Sequence, residues 1–233
     1  MVKFIRQNPV LELTHDSYPY QKEAFESIKD MEFAGIFHEQ GLGKTKIAID
    51  LICHWLEHDR VDSVLVVTKK TLVQNWIREI KLHTQIETNV FTSNKRKNHE
   101  VFTSTSYLYI AHYQVLNTDK EAFKKFFKAR RVAVILDESA AIKNRDSQLS
   151  RTYHELSKLM NIRIIMTGTP FANKPSKYSR FSLMVLISSL FEVSDSFVFN
   201  PSIIGSNAAK INKSLDEAPE NKSYKYSFLR SKA

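Results

Sequence analysis

Short runs of β-branched and aromatic residues alternate with segments of helical period through the middle of this chain. No other feature constrains its fold as much. The runs are FAGIF (33–37), SVLVVT (63–68), YLYIAHY (107–113), VAVIL (132–136) and IRIIMT (162–167). Each has strand length and few polar interruptions, the pattern of strands covered on both faces. Between them, Ile47, Ala48, Leu51, Ile52, Trp55 and Leu56 share one face of a helix over about 44–58. Leu72, Trp76 and Ile80 repeat that spacing, as do Ala122, Phe123, Phe126 and Phe127, and then Tyr153, Leu156, Leu159 and Met160. Strand alternating with helix predicts an α/β domain, a mostly parallel sheet with right-handed crossovers and helices on both faces. Near residue 201 the periodicity gives way to Ser, Asn and Lys. The expected division is one domain over 1–200, then a tail, linker or start of a further lobe over 201–233.

Hydrophobic content of 42% and charged content of 25% fit a globular domain of 233 residues. The net charge of +9 favours polyanionic partners without dictating a fold. The single cysteine excludes an internal disulfide and a multi-cysteine zinc site; Cys53, inside AIDLICHWL, is expected to be a buried, inert thiol. The N-terminus is too polar for a signal peptide, and FSLMVLISSLF (181–191) is too short and serine-broken to span a bilayer. The expected compartment is the cytoplasm, or the nucleus of a eukaryote, with no membrane partner. The histidines show no ligand spacing, which leaves Mg²⁺ as the expected metal.

HEQGLGKT (38–45) follows the first strand run and opens the first helix, the context of a phosphate-binding loop. Gly41 and Gly43 let the backbone turn its N–H groups towards phosphate oxygens, with Leu42 between them. Lys44 can reach the β- and γ-phosphates, and Thr45 can offer a hydroxyl to Mg²⁺. His38 stands where the common loop pattern has its first glycine, which argues against a small kinase or GTPase. VAVILDES ends a strand with Asp137 and Glu138. One carboxylate can hold the metal through water while the other orients or deprotonates the attacking water. Alone, such a pair could simply cap the next helix. IRIIMTGTP ends a third strand with Thr167, Gly168 and Thr169, hydroxyls and a turn able to sense the γ-phosphate. Polar clusters ending separate parallel strands predict one shared cleft.

Taken in order, these segments resemble the Swi/Snf-type ATPases of helicase superfamily two, over about residues 18–200. YPYQ (18–21) is similar to the family's Q motif, and the resemblance makes Gln21 the reader of adenine. HEQGLGKT resembles motif I, VLVVTKKTLVQNWIREI (64–80) motif Ia with its trailing Asn-Trp and Glu, and LYIAHYQVL (108–116) the next strand and its tyrosine. ILDESAAIKN (135–144) resembles motif II with the family's Ile-Lys-Asn, and MTGTPFAN (166–173) motif III. Ala140 replaces the motif II histidine and His38 the first acid of motif I. The resemblance implies the N-terminal RecA-like, ATP-binding lobe of a double-stranded DNA translocase that uses ATP and Mg²⁺. It also implies a second RecA-like lobe, in the same or a separate chain, carrying motifs IV to VI; none is visible after residue 200. The isolated chain is therefore expected to bind ATP weakly and to hydrolyse it very slowly.

By the same resemblance, Lys69, Lys70 and Thr71, and Lys143, Asn144 and Arg145, face the DNA backbone. NKRKN (94–98) and KKFFKARR (124–131) are denser basic patches, though Phe126, Phe127 and Trp76 read as core. The alternative from another class is a lone, non-turning nucleotide- or DNA-binding regulatory module, or one half of a split motor.

Overall fold

The computed structural model describes residues 11, 13–38, 40–139 and 147–168, and the backbone of two short strands at 198–199 and 227–228. The elements are α1 (Pro19–Ile28), β1 (Phe33–Ile36), α2 (Lys44–Glu57), β2 (Ser63–Thr68), α3 (Val73–His83), β3 (Thr88–Val90) and α4 (Lys95–Thr103). They continue with β4 (Leu108–His112), α5 (Tyr113–Thr118), α6 (Lys120–Ala129), β5 (Val132–Asp137), α7 (Gln148–Ser157) and β6 (Ile162–Met166).

The strands form one parallel sheet in the order β1-β6-β5-β2-β4-β3. Side chains alternate across it, as the strand period demands. Leu65 and Val67 of β2, with Val134 and Leu136 of β5, enter the core beneath α5, α6 and α7. Val64, Val66, Ala133 and Ile135 enter the opposite core, beneath α1, α2 and α3. Each face is apolar, so β2 is buried along its whole length and reads as an unbroken apolar run. The α/β architecture expected from the alternation is the one observed.

The five expected strands lie within one residue of their expected ends. YLYIAHY is the exception in kind, because Tyr113 leaves the sheet to begin α5. α1, β3, α4 and α5 were not expected. β3 is only TNV, too short to show a period. α4 opens within the basic patch at 94–98, where the Asn94 side chain caps the helix by accepting from the amides of Arg96 (3.0 Å) and Lys97 (3.4 Å). Phe126 and Phe127 are core, as their spacing implied. The tail expected over 201–233 lies outside the described residues, apart from the backbone of 227–228. Among the described residues, no helix is long and apolar enough to cross a membrane.

Candidate active site

The strands that end in the phosphate loop, the Thr-Gly turn and the acid pair are neighbours: β1, then β6, then β5. Their register is level, with Met166 paired to both Ile36 and Asp137. The Thr167 amide extends the ladder to the Ile36 carbonyl at 3.2 Å. Parallel neighbours lie about 4.8 Å apart, so the ends of β1 and β5 stand about 10 Å apart with Thr167 and Gly168 between them. A ligand held by the loop therefore faces the acids across one strand.

The loop is shaped by two glycines of positive φ, Gly41 at 84° and Gly43 at 67°. Gly43 is the N-cap of α2, so Lys44 and the half-buried Thr45 lie on the helix's first turn. A Cβ on Gly41 would meet nothing within 4 Å, so the loop is open there. Gly168 differs: a Cβ would come within 2.9 Å of Gln40 Cγ and 3.4 Å of Lys44 Nζ. The loop and its lysine thus pass close over the end of β6, where a glycine leaves them room. Lys44 Nζ donates to the His38 carbonyl at 3.0 Å. Burial pushes the ammonium's pKa down, and the charges of Asp137 and Glu138 pull it back up.

Asp137 is held from several sides. Its Oδ2 accepts from Trp76 Nε1 (2.9 Å) and from Thr68 Oγ1 (3.0 Å), and its carbonyl accepts from the Tyr113 hydroxyl (2.7 Å). Burial raises the carboxyl's pKa, and the Trp76 and Thr68 hydrogen bonds oppose that rise. Glu138 has φ of 54°, an uncommon region for a residue with a side chain, and its Oε2 lies 3.5 Å from Lys69 Nζ. Lys69, Lys70 and Thr71 are all exposed just beyond β2.

The first turn of α1 is tied to the loop. Gln21 is 4% exposed; its Oε1 accepts from the Tyr18 amide at 2.9 Å, and its Nε2 lies against Gly43, where any Cβ would collide with it. Below this contact Lys46 and Asp50 pair at 2.5 Å, each side chain 8% exposed. Ser17 joins them, donating to Asp50 at 2.5 Å and accepting from Lys46 at 2.8 Å. Tyr18 and Tyr20 stack beside it at 5.9 Å.

Of the expected site residues, the structure brings Gln21, Gly41, Leu42, Gly43, Lys44, Thr45, Asp137, Glu138, Thr167 and Gly168 to one edge of the sheet, with Lys69, Lys70 and Thr71 beside them. Thr169, Lys143, Asn144 and Arg145 lie outside the described residues. Sequence reasoning missed the Asp137 donors and the Lys46–Asp50–Ser17 cluster. Trp76 was expected as core and is buried, yet its indole N–H also serves the acid. A Lys–Asp pair four residues apart inside an otherwise apolar helix was the available signal for the cluster.

A nucleotide and Mg²⁺ fit these residues. The open turn at Gly41 leaves room for a phosphate, and the N-terminus of α2 supplies N–H groups. Among the described residues there is no group of three His, Cys, Asp or Glu able to cage a metal. Asp137 and Glu138, at the end of β5 across one strand from the loop, suit Mg²⁺, which commonly takes one or two carboxylates and completes its shell with phosphate oxygens and water.

Comparison with known proteins agrees. The SNF2-related domain matches residues 20–215. The chromatin-remodelling ATPase INO80 of Candida glabrata is 32% identical over 173 residues, 68% of this chain and 11% of that protein. The ISWI chromatin-remodelling complex ATPase ISW1 of Saccharomyces cerevisiae is 28% identical over 166 residues, 66% of this chain and 14% of that protein. An uncharacterised ATP-dependent helicase of Mycoplasma pneumoniae is 29% identical over 162 residues, 66% of this chain and 15% of that protein. This chain thus matches only 11–15% of the length of these relatives. The Sulfolobus solfataricus SWI2/SNF2 ATPase core, solved in complex with double-stranded DNA, shares the fold, with a TM-score of 0.60 at 20% identity over 94% of this chain and 46% of that one. The chain belongs to the SNF2-related domain family, the ATP-binding lobe of Swi/Snf-type ATPases.

Proposed function

We propose that this chain is the ATP-binding lobe of a DNA-dependent motor that hydrolyses ATP to ADP and phosphate while moving along duplex DNA. One observation carries the reading: β1, β6 and β5 are adjacent and level, so Lys44, Gly168 and the Asp137–Glu138 pair share one edge. The open turn at Gly41 and the amides beginning α2 bind the phosphates. Lys44, partly desolvated, offsets charge gathering on the transferring group. Gln21, fixed against Gly43, holds the base side of the nucleotide. Asp137 would hold Mg²⁺, largely through water, and Glu138 would accept the proton of the attacking water. Bound Mg²⁺ supplies charge neutralisation across the phosphates. Thr167 and Gly168, with Thr169, register the γ-phosphate. Lys69, Lys70 and Thr71, with Lys143, Asn144 and Arg145, contact DNA phosphates without reading sequence.

A second RecA-like lobe, in this or another chain, supplies the arginine that completes the site, an effect worth about 10³–10⁵ in rate in related NTPases. The full 233-residue chain therefore binds a fluorescent ATP analogue in the presence of Mg²⁺ but turns it over very slowly. Lys44→Ala abolishes that binding. Adding a polypeptide that carries the second lobe gives hydrolysis stimulated by duplex DNA of any sequence. Tight DNA binding that ignores nucleotide and survives Lys44→Ala would instead identify a non-turning module.

A further inference from the structure

The segment 68–76 touches the acid pair repeatedly. Thr68 and Trp76 both donate to Asp137 Oδ2, at 3.0 and 2.9 Å, and Lys69 Nζ lies 3.5 Å from Glu138 Oε2. Between these contacts, Lys69, Lys70 and Thr71 stand exposed at the start of a single 3₁₀ turn, Lys70–Leu72, that runs directly into α3. Thr68 is 0% and Trp76 1% exposed, so neither can meet a macromolecule itself. The two classes of contact differ in strength. The Lys69 side chain is half-exposed, so its ion pair is weakly held and exchanges readily for another anion. Two donors on one oxygen of a desolvated carboxylate stay bonded, and together they fix the carboxylate's rotation.

We infer that residues 68–76 form a relay in which a phosphate backbone seated on the exposed turn shifts Thr68 and Trp76, and through them the orientation of Asp137. This rests on reading Asp137 as the metal-facing acid and duplex DNA as the partner. Thr68 and Trp76 are positioning residues: they touch neither nucleotide nor DNA. Lys69 is the exchangeable handle, leaving Glu138 for a phosphate and so unburdening the proposed base in the same movement. Linkage makes the effect reciprocal, so occupancy of the metal–nucleotide site changes the affinity for duplex by the same factor.

The test uses the full chain labelled with ¹⁵N. The chain has two tryptophans and hence two indole N–H resonances, and Trp76→Phe assigns the pair. A short duplex of arbitrary sequence, with saturation followed by fluorescence anisotropy, should move the Trp76 resonance and leave that of Trp55 in place. Mn²⁺ affinity, measured with a non-hydrolysable ATP analogue bound, should change about fivefold or more on adding duplex, the lower end of ordinary site-to-site coupling. Thr68→Ser keeps the hydroxyl and should keep that change. Thr68→Val and Trp76→Phe should bind duplex as the parent does but lose the change. An unmoved Trp76 resonance at saturation overturns the relay, as does coupling that survives in both variants. Absence of any duplex binding overturns the DNA reading itself and the relay with it, whereas duplex binding with invariant Mn²⁺ affinity overturns the relay alone.

Discussion

Gly43→Ala tests how the first turn of α1 is joined to the phosphate loop. Two costs follow from the structure. At φ of 67° an alanine is in the left-handed region, worth about 1–2 kcal/mol. Its Cβ also collides with Gln21 Nε2, and Gln21 must withdraw. Withdrawal breaks the hydrogen bond from the Tyr18 amide to Gln21 Oε1, about 1 kcal/mol. The sum is about 2–3 kcal/mol, against about 1–2 kcal/mol for Gly41→Ala, where φ is 84° but a Cβ meets nothing. Urea denaturation of the full chain measures both. Gln21→Ala in the Gly43→Ala background removes the colliding group, so the double variant should be less destabilised than the sum of the singles by about 1 kcal/mol. Additivity within about 0.3 kcal/mol, or equal costs at the two glycines, would refute the proposed contact.

Asp50→Ala leaves Lys46 buried without its carboxylate and should cost about 3–5 kcal/mol in the same urea assay, whereas replacing both partners with apolar residues should cost far less. Asp137→Asn should raise the melting temperature at neutral pH. Burial lifts the folded-state carboxyl above its ordinary value, so the folded state binds more protons than the unfolded one between those two values, and stability falls as pH rises through that window. The gain from Asp137→Asn should therefore shrink as pH is lowered through it, and a pH-independent gain would contradict the assignment. Burial pushes the Cys53 thiol up to about 12, so maleimide at pH 8 should leave the native chain unlabelled and label it only on unfolding, read by mass spectrometry.

What could be read in advance depended on whether a residue's role shows in local pattern. β1, β2, β4, β5 and β6 appeared as short apolar runs because helices cover both faces of the sheet. The phosphate loop appeared because glycine spacing and a following Lys-Thr are local chemistry. The order of the strands left no local trace, although the shared edge depends on β6 inserting between β1 and β5. Trp76 was half legible: helical spacing assigns its ring to the core but is blind to where the indole N–H points. The same blindness hid Thr68, whose hydroxyl crosses from β2 to the end of β5, and Gln21, whose carboxamide lies against a glycine far along the chain. β3 escaped because three residues carry no period.

The strand order also has a consequence for biosynthesis. Among the described residues β1 bonds only to β6, so from the time Ile36 leaves the ribosome its edge waits for Met166, about 130 residues later. At ordinary elongation rates that interval is roughly 6–26 s. During it the nascent chain presents an unpaired apolar strand beside a finished phosphate loop, a natural target for chaperones and for mispairing with a neighbouring copy. Slower translation across residues 132–168 should lengthen that exposure and lower the soluble yield.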